Sequence, residues 1–351
     1  MPAGEYFTDY TERIGLLRWR TEKIAFLLLF PIPFLLPFVV GGGLQSMLIH
    51  IYITIIAVIG LNVITGYAGE IVLSQGAFMA MGSYMVSQAL GLGIGFIPAL
   101  IAGGLFTSLI AVIVALPTKR VTGFYVAIFT LVLQFVTEWV LNNPEFAPVT
   151  GGAQQIVPGE VDLLPGVLPI GGGLEFYYLV LVFALLAAVG VMNLSRTGIG
   201  RTIRATNTLE GNDLAAGVLG VDVFRNKLLA FAIGGFLIGI AGGLWAFDLS
   251  FLTPANYTLD ITLEHYLILL LGGFGRTWGV AIGASIVIAL QSGLRNQLPL
   301  IQELTGNASI GPITTILFGI LIIAVLIYEP DGVLSILGKI KAYLRRWPYA
   351  Y

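Results

Sequence analysis

Ten apolar runs follow one another along this chain, near residues 24–40, 47–65, 76–94, 96–116, 122–142, 174–194, 228–248, 261–273, 278–294 and 311–328. A bilayer core about 30 Å thick, crossed at 1.5 Å per residue, needs about 20 residues per helix. Most of the runs have that length. Inside a bilayer the backbone must satisfy its own hydrogen bonds, so each run is expected as a helix. The chain therefore reads as an all-α polytopic membrane protein of about ten transmembrane helices. Composition agrees: 57% of residues are apolar and only 10% charged, against about 25% charged in ordinary soluble chains.

The same figures exclude several functions. A net charge of −2 offers no basic surface for nucleic acid. With no cysteine and only His50 and His265, thiolate and His-rich metal centres are absent. No Ser/His/Asp set or nucleophile with a base is visible, so no catalytic residue and no metal ligand are assigned. The first apolar run starts at Ile24, after a charged segment, and reads as the first span rather than a cleaved signal peptide. A transporter or a passive small-solute channel remains.

Basic residues orient the spans. With the N-terminus inside, sixteen of the seventeen lysines and arginines fall on inner segments, leaving only Arg295 outside. Both termini are thus expected in the cytoplasm. The outer loop, about 143–173, carries Glu145, Glu160 and Asp162 and no basic residue. Residues 1–23 read as a cytoplasmic or interfacial segment, 24–328 as the transmembrane domain, and 329–351 as a basic cytoplasmic tail.

Two apolar runs are interrupted, one in each half. The first reads Asn62-Val-Ile-Thr-Gly66-Tyr67-Ala68-Gly69-Glu70-Ile-Val-Leu-Ser74-Gln75, and the second Gly272-Gly273-Phe274-Gly275-Arg276-Thr277-Trp278-Gly279. Unwound backbone survives in a membrane only beside protein or a watery cavity, and paired glycine-interrupted spans point to a substrate route. Asn62, Gly66, Tyr67, Gly69, Glu70, Ser74, Gln75, Gly272, Gly273, Phe274, Gly275 and Trp278 are the candidate pathway residues. The plainer alternative is a turn between neighbouring spans, or glycines for helix packing. Gly235, Gly239 and Gly243 recur every four residues, and so do Gly275, Gly279 and Gly283, as helices in close contact require. For the first set, packing is the expected role. His265, beside Glu264 near a span end, reads as a packing or snorkelling residue, and Glu138 as solvated.

The inner loop 195–227 is long and patterned. Arg201 and Arg204 open it. Asp213 or Asn212 can cap a short helix through Leu214, Ala215 and Ala216, Gly220 can close that helix in a left-handed conformation, and Asp222 can cap the next span. A rigid helix there suits a cytoplasmic motor, and the small Ala215 and Ala216 would permit close approach.

Together these segments resemble the permease subunits of bacterial branched-chain amino-acid ABC importers of the LivM type, within the wider hydrophobic amino acid, urea and amide uptake family. The resemblance covers about residues 47–337. It rests on Gly66-Tyr-Ala-Gly69, Gly82-Ser-Tyr84, Thr122-Gly-Phe-Tyr125 through Thr130, Thr150-Gly-Gly-Ala and Leu214-Ala-Ala-x3-Gly220. Gly272-Gly-Phe-Gly275 with Trp278-Gly279, and Tyr328-Glu-Pro330-x-Gly332, complete it. It implies an ABC importer permease fold in a bacterial or archaeal cytoplasmic membrane. It also implies a second homologous permease subunit, two cytoplasmic ATP-binding subunits and an external solute-binding protein, with lipid around the spans. The chain has no Gly-x4-Gly-Lys-Ser/Thr phosphate loop, so no cofactor is expected in it, and ATP and Mg would be handled by partners. The family usually has Gln, Ser, Gly and His where this chain has Glu70, Val72, Ser74 and Gln75, and Glu at the position of Leu214. Those departures leave the cargo open between hydrophobic amino acids and urea, short amides or small aromatic acids.

Overall fold

A computed structural model of the chain describes residues 31–39, 41–120, 123–150, 155–156, 161–163, 169–170, 173–208 and 213–305. The expected segment 1–23, the last span 311–328, the tail 329–351 and the motif at Tyr328 lie outside the described residues, as does Asn212.

The helices are α1 (Ile32–Val39), α2 (Gly42–Leu61), α3 (Gln75–Gly91), α4 (Phe96–Ala115), α5 (Phe124–Asn142), α6 (Leu174–Leu194), α7 (Gly198–Ala205) and α8 (Asp213–Val218). They continue with α9 (Val223–Leu249), α10 (Leu259–Gly272) and α11 (Thr277–Thr305). Five of these segments are long and apolar enough to cross a membrane: α2 with its extension to Tyr67, α4 with its extension to Lys119, α5, α6 and α9. Within the described residues most apolar runs fall on these helices, with α11 extending well beyond the run at 278–294. β-Branched residues dominate α2, yet it is helical, because only internal pairing satisfies its amides away from water.

Two short antiparallel ribbons sit in the connections. Strand β1 (Gln155–Ile156) pairs with β4 (Phe251–Leu252), and β2 (Val161–Asp162) with β3 (Pro169–Ile170). The first ribbon ties the long loop after α5 to the end of α9.

The centre of the bundle is α9, which packs against α2, α3 and α4. Its glycines bring backbones into direct contact. A methyl group added at Gly82 would lie 2.3 Å from the Gly239 carbonyl oxygen, and one at Gly60 would lie 2.7 Å from that of Gly234. Gly235 faces Ala111, Gly239 faces Thr107, and Gly243 faces Val86 and Leu100. The four-residue glycine spacing is therefore a packing seam. The turn from α10 into α11 uses the same device, with Gly272 against the Gly279 backbone and Gly283 against the Ile268 carbonyl. In contrast, α5 presents Tyr125, Phe129, Val132, Phe135 and Trp139 outward, as a helix at the edge of a membrane bundle does.

Candidate functional site

The two interruptions differ in kind. After α2 the chain widens into a π-helical turn, Asn62–Tyr67, reverses at Gly69 (φ +75°) and runs without helix or strand to Ser74 before α3 begins. This stretch is enclosed by protein, and side chains replace the missing backbone ladder. The Val72 N–H donates to the Tyr266 hydroxyl at 2.8 Å, and that hydroxyl donates to the Val72 carbonyl at 3.1 Å. The Leu73 N–H donates to Thr130 Oγ1, the Gly76 N–H to Thr262 Oγ1 and the Ala77 N–H to Gln134 Oε1. The Thr65 hydroxyl donates to the Glu70 carbonyl. Each amide left unpaired there would cost a few kcal/mol, so these hydroxyls and amides are what allow the unwound stretch to persist.

The second interruption is a turn between two antiparallel, glycine-packed helices. Gly273 and Gly275 adopt φ of +83° and +72°, conformations that L side chains rarely take. The expected unwound span in the later half is therefore a hairpin. Phe274 and Trp278 are partly exposed beside it, while Gly272 and Gly273 are buried.

The two interruptions nevertheless meet. The Gly275 N–H donates to Asn62 Oδ1 at 2.8 Å, and the Tyr67 and Thr277 hydroxyls lie 3.3 Å apart. A Cβ at Gly66 would fall 2.6 Å from the Gly275 nitrogen, so glycine is needed for this approach. Ser74 and Gln75 lie further along the unwound stretch. The Gln75 side-chain amide donates to the Ala57 carbonyl and lies 3.2 Å from His265 Nδ1. The Ser74 hydroxyl is buried without a hydrogen-bond partner among the described residues. His265 is likewise buried in α10, so of its two expected roles it takes packing, beside Gln75 of the unwound stretch, and not snorkelling.

The loop 195–227 closes over this junction. Thr197 caps α7 by accepting from the Gly200 N–H. The Arg204 guanidinium then lies 4.1 Å from the centre of the Tyr67 ring and donates to the Gly275 carbonyl. The Asn207 side chain donates to the Gly66 carbonyl, the Thr208 N–H to the Ala68 carbonyl, and the Thr208 hydroxyl to Glu70 Oε1. Thus Arg204 through Thr208 holds both interruptions at once.

Glu70 is fully buried, and its Oε1 forms an ion pair with Lys227, one turn into α9. Its charge is met within the chain at Oε1, by Lys227 and Thr208, while Oε2 is buried without a hydrogen-bond partner among the described residues. Asp213 opens α8 and accepts from the Leu214 N–H, Gly220 has φ +85°, and Asp222 caps α9 through the Arg225 N–H, as the sequence suggested. The contact face is different from the expected one. Ala216 is turned inward and buried, whereas Leu214, Val218 and Leu219 are 81%, 89% and 83% exposed, with Ala215 beside them. Arg201 is also exposed.

Sequence reasoning missed Lys227 and the supporting side chains. Signals existed: a lysine at the very edge of an apolar run calls for a carboxylate. Thr262, His265 and Tyr266 share one face of α10 at i, i+3 and i+4, as Thr130, Gln134 and Thr137 share one face of α5. Glu138, read as solvated, accepts from the Gln134 side chain at 2.9 Å. Among the described residues no three His, Asp or Glu side chains converge to hold a metal ion.

Residues 43–326 match the family described as the branched-chain amino acid transport system permease component. The chain belongs to this family. The permease is 27% identical to the high-affinity branched-chain amino acid transport system permease protein LivM of Salmonella typhimurium, over 89% of this chain and 75% of that one. It is 26% identical to the probable LivM of Methanocaldococcus jannaschii, over 84% of this chain and 80% of that one. Across 33% of the permease there is 36% identity to 31% of the xylose transport system permease protein XylH of Haemophilus influenzae. No solved structure matches. The permease is a multi-pass membrane protein, and the relatives it resembles are transport permeases.

Proposed function

We propose that this chain is the substrate-translocating subunit of an ATP-driven importer for branched-chain or other hydrophobic amino acids. In that reading it lies in the cytoplasmic membrane with both termini and the loop 195–227 on the inner side. It works with a second homologous permease subunit, two ATP-binding subunits that hydrolyse ATP with Mg, and an external solute-binding protein that docks near the loop 143–173.

The observation that carries this reading is the run of contacts from Arg204 to Thr208. A force applied to α7 or α8 has a short, polar and directional path into the unwound stretch 68–75 and into the hairpin at Gly275. The face for the motor is apolar. Leu214, Val218 and Leu219 lie outside the spans, and large exposed apolar side chains grouped on and just after one short helix favour a covering protein. In this scheme Asn62, Gly66, Tyr67 and Gly69 form the joint that moves. Ser74 and Gln75 line its far end, and Gly272, Gly273, Phe274, Gly275 and Trp278 form the opposing turn. Glu70 is the anchor of the joint rather than a ligand for a substrate amine, because Lys227 already neutralises it.

The test is co-purification. Leu214→Glu with Val218→Glu, two outward positions whose change leaves the core intact, is expected to abolish association with the ATP-binding subunit while the permease stays monodisperse. Normal ATPase association by that variant, or ATP-independent uptake of L-leucine into proteoliposomes holding this chain alone, would overturn the proposal.

A further inference from the structure

At the end of the bundle opposite the loop 195–227, the starts of α2 and α6 and the end of α9 surround a cavity of about 320 Å³. A carboxylate, hydrogen-bond donors and an apolar wall line it. Asp248 carries a carboxylate with no hydrogen-bond or ion-pair partner among the described residues. Gln45 contributes a side-chain Nε2 that is buried and also unpartnered. Gly42 and Gly173 mark the first turns of two long helices, neither of which has a side-chain cap on its free amides. Phe176 and Phe247 supply an apolar wall, their rings 4.9 Å apart. Just past Asp248, Ser250 takes φ +57°, the single non-glycine residue with positive φ among the described residues. Such a conformation costs free energy and is kept where the surroundings fix it.

These groups make complementary demands. A carboxylate drawn partly out of water, with no partner of its own, calls for a cation or a donor. Uncapped helix N-termini and a free amide N–H require an acceptor, best an anion. A plain cation leaves the donors unmet, and a plain anion meets repulsion from Asp248. A molecule with both charges close together and a short apolar group satisfies all three walls.

We propose that this cavity binds the zwitterion of a small apolar amino acid. Its ammonium sits on Asp248, its carboxylate faces Gln45 Nε2 and the first amides of α2 and α6, and its side chain rests on Phe176 and Phe247. The inference deepens the transport reading and rests on it for the substrate class, giving the permease a receiving site at the end remote from the motor. The headgroup of phosphatidylethanolamine carries the same pair of charges, so the test separates the two sources.

The experiment is equilibrium binding of radiolabelled L-leucine to the purified full-length chain, in lipid-free detergent and in phosphatidylethanolamine nanodiscs, without ATP or partner subunits. Saturable binding is expected in both. 3-Methylbutylamine and 3-methylbutanoate, each bearing one of the two charges, should compete roughly tenfold less well than L-leucine. Asp248→Asn, nearly isosteric, should weaken L-leucine roughly tenfold or more. Gln45→Leu should weaken L-leucine but leave competition by 3-methylbutylamine unchanged, a split that general misfolding does not produce. No saturable binding by the unaltered chain, or equal binding by Asp248→Asn, would overturn the site. Binding in detergent that vanishes in phosphatidylethanolamine nanodiscs would assign the cavity to the lipid and equally overturn it. Because the ATP-binding subunit takes no part, failure here leaves the outcome of the co-purification test standing by itself.

Discussion

The ammonium of Lys227 lies 2.5 Å from Oε1 of Glu70, and both side chains are buried, at 1% and 0% exposure. The pair joins the unwound stretch after α2 to the first full turn of α9, and Thr208 adds a hydroxyl to the same oxygen. Removing two charges from water is expensive, so a buried pair of this kind is weak support for stability by itself. Losing one partner is another matter.

Lys227→Met leaves the Glu70 carboxylate buried without its cation, and Glu70→Gln leaves the ammonium without its anion. Either change is expected to destabilise the permease by about 3–5 kcal/mol. Glu70→Gln combined with Lys227→Met should recover most of that loss, since no uncompensated charge remains. Thermal unfolding of the three purified variants reads the effect; a double variant no more stable than the singles would contradict it.

Tyr266→Phe deletes one oxygen that serves two backbone groups of Val72. Both groups would be buried and unpaired, at about 1–3 kcal/mol for each. Faster amide hydrogen exchange confined to residues 70–75, together with a lower unfolding temperature, is the expected outcome. Tyr257, also buried, is the comparison: its hydroxyl serves no backbone group of an unwound stretch, so Tyr257→Phe should cost far less.

Gly82→Ala places a methyl group 2.3 Å from a backbone oxygen of α9, where neither helix can yield without losing neighbouring contacts. Overpacking of this kind costs about 1–3 kcal/mol. Gly190→Ala, in the open on α6, should be neutral or stabilising by up to about 1 kcal/mol through helix propensity. Equal effects of the two substitutions on thermal stability would argue against the packing seam.

Arg204→Ala removes a contact to the Tyr67 ring and a hydrogen bond to Gly275. Together these are worth about 2 kcal/mol. Association with the ATP-binding subunit should persist, because Leu214, Val218 and Leu219 are untouched, while ATP-driven uptake falls by more than about tenfold. Arg204→Lys keeps the charge but loses the planar stack, so it should recover only part of the rate.

Much of this architecture was legible in the residues themselves. The apolar runs located most of the described helices, because a chain in lipid has few options besides the helix, although α11 continues well past the run at 278–294. The glycine spacing of 235, 239 and 243 announced a seam, and Gly220 and Asp222 marked the end of α8 and the start of α9. Those signals are local, readable within a few turns of one helix. Among the expectations that met a different outcome are two of orientation: Ala216 faces the body of the permease, and the interruption at Gly272–Gly279 is a turn. Both depend on how a short element is rotated against its neighbours, which a local pattern does not specify.

Sequence by itself determined that the chain is a helical membrane permease, roughly where its described helices lie, and that its backbone breaks near Gly66 and Gly273. Only the tertiary structure decided that Glu70 answers to Lys227, that Tyr266 and Thr130 substitute for a missing ladder, and that Arg204 spans both breaks. The physical reason is distance along the chain. Each of those contacts joins helices whose relative depth and rotation are set by glycine-to-glycine packing around α9, and that geometry exists only once the bundle has assembled.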